Sequence, residues 1–262
     1  MPEIIVFLAV LGSAAAGLWD LKTTEVPDEI PALMIVAGIL YWFVSGVSTG
    51  DAQPFLVSVV SSAFIGAAGY ALYKAGKWGG ADAFIFSAIA AMVPVYNGRL
   101  FILDYAMNFI IVSGAYLLLY TAAIGVMNPS VFSYFRKDLK KTWLYVLAVP
   151  AVYFPAIYLA GAVNSLTIFY GALLAFLVFF WRYAFVIEEK IFKKKIAVSR
   201  LKPGDVLEKM VWRGLTAEEI KEIKRKEKYV TVKEGVRFVP AFAINLVITL
   251  LYGNILLMVF GL

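Results

Sequence analysis

Residues 3–19 read EIIVFLAVLGSAAAGLW, and residues 20–28, directly after, read DLKTTEVPD. The first stretch carries its single charge at its start and is long enough to cross a hydrocarbon layer as a helix. The second turns polar at once, so Asp20 stands where apolar sequence meets loop. The same alternation continues along the chain. Apolar runs recur at about 29–48, 54–73, 82–97, 100–126, 143–160, 165–187 and 238–260, giving eight predicted spans. Composition agrees: of 262 residues, 62% are hydrophobic and 16% charged. A single soluble core of this size cannot hide that much apolar surface, whereas lipid solvates it directly. The predicted class is an all-α polytopic membrane protein of about eight transmembrane helices, with a small α+β cytoplasmic insertion before the last helix. Three regions follow: a membrane core over 1–187, a basic cytoplasmic domain over 188–237, and a last transmembrane helix over 238–262. The first span is not expected to be a signal peptide, since its leader is Met-Pro-Glu without a positive region.

Charge orients the chain. The loops 20–28, 74–81, 127–142 and 188–237 hold Lys22, Lys74, Lys77, Arg136, Lys137, Lys140, Lys141 and the basic residues after Lys190. The opposite loops hold only Arg99. Basic loops stay in the cytoplasm, which places both termini outside and 188–237 inside. The net charge of +6 is thus a topology signal, and no nucleic-acid partner is expected. Within 188–237, Lys and Arg number 15 against 9 Asp and Glu, so the segment is polar enough to stand outside lipid. Ile196–Ser199 and Tyr229–Lys233 read as strands, and Pro203-Gly204-Asp205 reads as a turn. Thr216 and Glu219 form a capping box for a helix over about 217–228. Residues 129–141 read as a short amphipathic helix on the lipid surface. Pro150 and Pro155 predict a kink in the sixth span.

The chain contains neither cysteine nor histidine. Thiolate metal sites, Ser-His and Cys-His dyads, and zinc peptidases of the H-E-x-x-H kind are excluded. Gly76-Lys77 is followed by Trp78, so it is not a phosphate-binding loop. Carboxylate chemistry remains, or a Ser-Lys pair. Asp20 closes the first span in Gly17-Leu18-Trp19-Asp20, and Asp82 opens the fourth in Gly79-Gly80-Ala81-Asp82. The charge pattern puts both at the cytoplasmic edge. Two carboxylates that approach each other cannot both ionise, so one keeps a proton. One can then activate a water while the other polarises a peptide carbonyl. No metal or cofactor is needed. Gly79 and Gly80 let the helix start unwind and let a peptide backbone come close. Small residues in the first and third spans, among them Gly12, Gly17, Gly66 and Gly69, allow the close helix packing that would unite the two aspartates. Either Asp taken alone reads more readily as an interfacial or capping residue. The other expected charges are structural: Asp28 caps the second span, Asp104 pairs with Arg99, and Arg182 snorkels to the inner surface. Trp42, Trp143 and Trp181 anchor at the interface.

Asp20 through Asp28, with Val26-Pro27-Asp28 six residues on, resembles the first-aspartate signature of type IV prepilin peptidases. Gly79-Gly80-Ala81-Asp82 resembles the second, a form of the GxGD motif, and the archaeal preflagellin and prepilin branch is the most similar. The resemblance implies a membrane aspartyl endopeptidase with Asp20 and Asp82 catalytic. It implies that the enzyme acts at the cytoplasmic face of the cell membrane on type IV pilin-like or flagellin precursors. It further implies that Glu25, with Gly79 and Gly80, lies where substrate binds, since basic leader residues are drawn to an acidic rim. Ala81 stands where the bacterial form has Gly. The bacterial cysteine pairs are missing, so cleavage without methylation is expected. The competing expectation is a small ion- or proton-coupled transporter with Asp20 and Asp82 as ion sites.

Overall fold

The computed structural model describes residues 3–76, 78–208 and 214–260. Lys77, counted among the basic loop residues, and the leader residues Met1 and Pro2 lie outside them. The described residues form ten α-helices and one two-stranded sheet. Helices α1 (Glu3–Thr23), α2 (Glu29–Thr49), α3 (Gln53–Lys74), α4 (Gly80–Met92) and α5 (Phe101–Met127) follow the first five predicted runs. Then come α6 (Ser130–Leu159), α7 (Ser165–Ile187), α8 (Ala217–Lys226), α9 (Pro240–Tyr252) and α10 (Ile255–Phe260). Strands β1 (Lys193–Ala197) and β2 (Tyr229–Lys233) pair antiparallel, Lys193 opposite Lys233 and Ala197 opposite Tyr229. Among the described residues, six helices are long and apolar enough to cross a membrane: α1, α2, α3, α5, α6 and α7 with its extension to Phe192. The chain is a multi-pass helical membrane protein. Helices α4 and α9 are apolar but shorter.

Three boundaries of the apolar runs differ from expectation, each for a local reason. Helix α4 ends at Met92, not near 97, because Pro94 pushes Val93 out of helical geometry (φ −129°, ψ 65°). The amphipathic stretch 129–141 and the sixth span are one continuous helix, α6. Between Ser130 and Val149 the sequence offers no Gly or Pro to stop it, and a change from polar to apolar side chains does not interrupt backbone hydrogen bonding. The last run is split in two at Gly253, whose φ of +67° is left-handed.

The chain forms two compact units: residues 1–117, 201–226 and 234–262, and residues 118–200 with 227–233. The polar stretch 188–237 is thereby divided between them.

In the first unit α4 is the buried element. Ile85, Ala88, Ile89, Ala90 and Ala91 have no exposed surface. Its environment is built by close approach. A Cβ on Gly69 of α3 would lie 2.5 Å from the Ala83 Cβ of α4. An interior helix end must still satisfy its carbonyls. Ser58 Oγ donates to the Ala91 carbonyl (2.7 Å), and Trp42 Nε1 donates to that of Met92 (3.0 Å). Trp42 is thus a buried cap for α4 and not an interfacial anchor; Trp143 and Trp181 are half exposed. Ser87 of α4 donates to the Ser62 carbonyl of α3 (2.8 Å).

Buried amides fasten α9 to α5. Asn245 Nδ2 donates to the Tyr105 carbonyl (2.9 Å), and the Tyr105 hydroxyl donates to that of Phe242 (3.0 Å). At the Gly253 break, Asn108 donates to the Gly253 carbonyl (2.7 Å) and accepts from the Ile255 amide (2.8 Å), so it bridges both sides. Asp104 accepts from Asn254 Nδ2 at 2.9 Å, which replaces the expected pairing with Arg99. The turn at Pro203-Gly204 is present, and α8 is capped as read: the Thr216 amide donates to Glu219 Oε2 (2.9 Å) and the Glu219 amide to Thr216 Oγ1 (3.3 Å).

In the second unit α6 and α7 form a hairpin around Val131, Phe135, Tyr183, Val186 and Ile187. Arg182 does not snorkel. Its Nη2 and Nε donate to the two oxygens of Asp138 (2.6 and 3.1 Å), and its guanidinium stacks over the Phe185 ring at 4.7 Å. The sheet begins at Lys193, three residues before the predicted strand, and Ser199 falls in a short 3-10 turn.

Candidate active site

Helix α1 delivers Asp20 in its last turn, where Leu21 to Glu25 are exposed but Asp20 itself is only 5% exposed. Two features bury it. One turn earlier, a Cβ on Gly17 would lie 3.1 Å from the Pro240 Cα, so α1 and α9 meet almost backbone to backbone. That contact carries the Asp20 carboxylate to the start of α9, where the first amides have no partner within their own helix. The Val239 amide donates to Asp20 Oδ2 at 3.0 Å. A carboxylate is a favourable occupant there, because helix N-termini present both free N–H groups and a positive dipole end.

Asp82 lies in the first turn of α4 and is partly buried. Its Oδ2 accepts from the Gly79 amide at 3.3 Å, the return arm of a cap. Gly79 has extended backbone, and a Cβ there would stand 2.7 Å from the same oxygen. Glycine at 79 therefore makes room for the Asp82 carboxylate. Gly80 is exposed, and a Cβ there would find only the Tyr73 ring at 3.6 Å. Helices α1 and α4 pack against each other, and the charge of Asp20 is felt at Asp82. Packing in this unit thus brings together two carboxylates 62 positions apart in sequence.

Glu25 is exposed in the loop after α1. The Pro203-Gly204 turn packs on it; a Cβ on Gly204 would lie 2.9 Å from Glu25 Oε1. Asp28 is the residue before α2, but its side chain makes no capping hydrogen bond, its backbone being already helical (φ −62°, ψ −20°). Among the described residues, no group of three or more carboxylates is arranged to hold a metal ion.

Residues that the spans did not reveal complete the surroundings. The Arg237 guanidinium acts on Asp20 through space. Its carbonyl accepts from the Tyr116 hydroxyl at 2.5 Å. Phe238 packs edge-on against Phe109 and Phe242, and Trp78 against Phe86. The signal for Arg237 was present only in outline: it is the last charge before the apolar run that opens at Phe238 and carries Pro240 as the first residue of α9.

Asp20 thus closes α1 against the start of α9, and Asp82 opens α4, so two carboxylates stand among the apolar helices of a membrane protein. Residues 5–128, which include both aspartates, match the model of the Type IV leader peptidase family. The chain is also similar to the prepilin peptidase EppA of Methanothermobacter thermautotrophicus, 28% identical over 89 residues. That alignment covers 34% of this chain and 23% of the relative, about a quarter of its length. Arg237 and α9 lie outside the matched family stretch.

Proposed function

We propose that the chain is a membrane aspartyl endopeptidase that removes the short basic leader of type IV pilin-like or archaeal flagellin precursors at the cytoplasmic membrane face. The observation that supports this is that Asp20 and Asp82, on the packed helices α1 and α4 and with the charge of Asp20 felt at Asp82, both fall inside the stretch that matches the leader peptidase family. In this reading α4 and the α9–α10 pair complete eight membrane-embedded segments.

A precursor enters as an extended chain and lays its scissile carbonyl between the aspartates. The ionised carboxylate takes a proton from a water as the water oxygen attacks the carbonyl carbon. The protonated carboxyl gives its proton to the carbonyl oxygen, and the tetrahedral intermediate collapses with the proton returned to the leaving amine. Glu25, exposed beside the site, attracts the basic leader. Gly79 and Gly80 leave the start of α4 unencumbered.

The test is co-expression with a pilin-like precursor carrying a basic leader, read by its change in mobility. Cleavage by wild type and its loss in Asp82→Asn is the expected result; an uncut precursor in both sinks the proposal. A transporter is the other use of intramembrane carboxylates, and broken helices accompany it. The break at Gly253, however, lies a full helix away from Val239, about 20 Å along α9, and Asn108 fills it.

A further inference from the structure

The two aspartates are not equivalently supported. Asp20 receives the Val239 amide at 3.0 Å from the start of a second helix. Among the described residues, Asp82 receives only the amide of Gly79, from its own cap and at 3.3 Å. Positive charge is distributed the same way. Arg237 stands two residues before Val239, and its charge acts on Asp20. Among the described residues, the charged group that bears on Asp20 is Arg237, from the segment entering α9, and the one that bears on Asp82 is Asp20 of α1. Lys22 and Glu25, on α1 and its following loop, are exposed to solvent.

Arg237 is held for this position. Its carbonyl is fixed by Tyr116 of α5, and its neighbour Phe238 is wedged among Phe109, Tyr116 and Phe242. Its Nε is buried without a hydrogen-bond partner, and among the described residues Arg237 forms no ion pair. A buried guanidinium nitrogen left unpaired is disfavoured unless something else uses the charge. A packing role alone is met more cheaply by Leu or Met, whereas an ionised carboxylate in an apolar setting requires a cation nearby.

We propose that Arg237 is a positioning residue that keeps the negative charge of the pair on Asp20, making Asp20 the water-activating base and leaving the shared proton on Asp82. The assignment rests on the aspartyl peptidase reading above, but it concerns the resting protein and is testable without any precursor.

The probe is 1,2-epoxy-3-(4-nitrophenoxy)propane applied to the full chain in detergent. An ionised carboxylate oxygen attacks an epoxide carbon, a ring C–O bond breaks, and the alkoxide takes the proton held by the neighbouring carboxyl. The product is an ester on the charged aspartate and a free hydroxyl, located by peptide mass mapping. Wild type is expected to carry the ester on Asp20, and Asp20→Asn to carry none there. Arg237→Gln should slow esterification of Asp20 by about tenfold or more and divide the remaining ester between Asp20 and Asp82. Arg237→Lys should retain the wild-type site and come within several-fold of its rate. A merely structural role would depress both aspartates alike and would not be rescued by lysine. Wild type with the ester on Asp82, or with none on Asp20, overturns the proposal even if Arg237→Gln fails to fold. So does Arg237→Gln protein that elutes normally and labels like wild type. Protein that labels on Asp20 but cuts no precursor removes the peptidase function and keeps the charge assignment; protein that cuts precursor but labels on Asp82 does the reverse.

Discussion

A Cβ on Gly69 would stand 2.5 Å from the Ala83 Cβ, closer than two methyl groups can come. Helices α3 and α4 are therefore fitted around a missing side chain one residue from Asp82. Gly69→Ala should push the start of α4 away and destabilise the protein by about 1–3 kcal/mol, the usual cost of overpacking. Ala83→Gly in the same chain should recover most of the loss, since it removes the opposing methyl. Thermal unfolding in detergent measures both; additive destabilisation in the double variant would show that the contact is not the cause.

The aspartates are expected to fail as a unit. Asp20→Asn and Asp82→Asn should each lower precursor cleavage by roughly a hundredfold or more, and the double variant should be about as inactive as either. Asp→Glu at either position should also fail, because an added methylene moves the carboxylate by about an ångström. Asp28→Asn should stay active: its side chain makes no capping bond. Cleavage normalised to protein abundance decides. Wild-type rates in Asp20→Asn or Asp82→Asn would overturn the proposed mechanism.

Arg182 and Asp138 predict where the second unit is fragile. The pair is bidentate and its side chains are 12% and 20% exposed, so lipid or water cannot readily replace either partner. Asp138→Asn should destabilise the α6–α7 hairpin by about 1–3 kcal/mol, in the range of hydrogen bonds to a charged group. Combining it with Arg182→Met should cost less than the sum of the single changes. Denaturant midpoints of the four proteins complete the cycle, and strict additivity would deny the coupling.

Asn108 should hold the end of α9. It donates to Gly253 and Thr249 and accepts from Ile255, all on the partner helix pair. Asn108→Leu keeps the branched shape but removes these bonds, so the Ile255 amide should exchange its hydrogen at least about tenfold faster, the equivalent of about 1.4 kcal/mol. Exchange followed by mass spectrometry would detect this; unchanged protection would mean that packing alone secures the break.

What the sequence discloses and what it conceals divide along a physical line. Hydropathy marks where a chain enters and leaves lipid, so α1, α2, α3, α5 and α7 begin and end within a few residues of expectation, and Asp20 and Asp82 stand out as charges at those limits. The cap of α8 and strand β2 were also legible, because Thr216, Glu219 and the Tyr229–Lys233 alternation act locally. Hydropathy says nothing about which face meets which neighbour. Trp42 has the composition of an interfacial anchor, but the carbonyl of Met92 captures its indole. Arg182 could have reached solvent, but Asp138, 44 positions earlier, offers both oxygens. Asp104 found Asn254 and not Arg99 for the same reason. Arg237 and Val239 escaped notice because their relation to Asp20 exists only once α1 and α9 are packed.

The hydrogen bond from Val239 to Asp20 spans 219 positions. During synthesis Asp20 leaves the ribosome roughly 10–45 s before its partner, at ordinary elongation rates. For that interval the carboxylate lies in the membrane with neither the amide nor the guanidinium that later surround it. The protein is thus born without a finished centre, and if the proposed chemistry is right it waits for the arrival of α9, so a prematurely terminated product is expected to be inert.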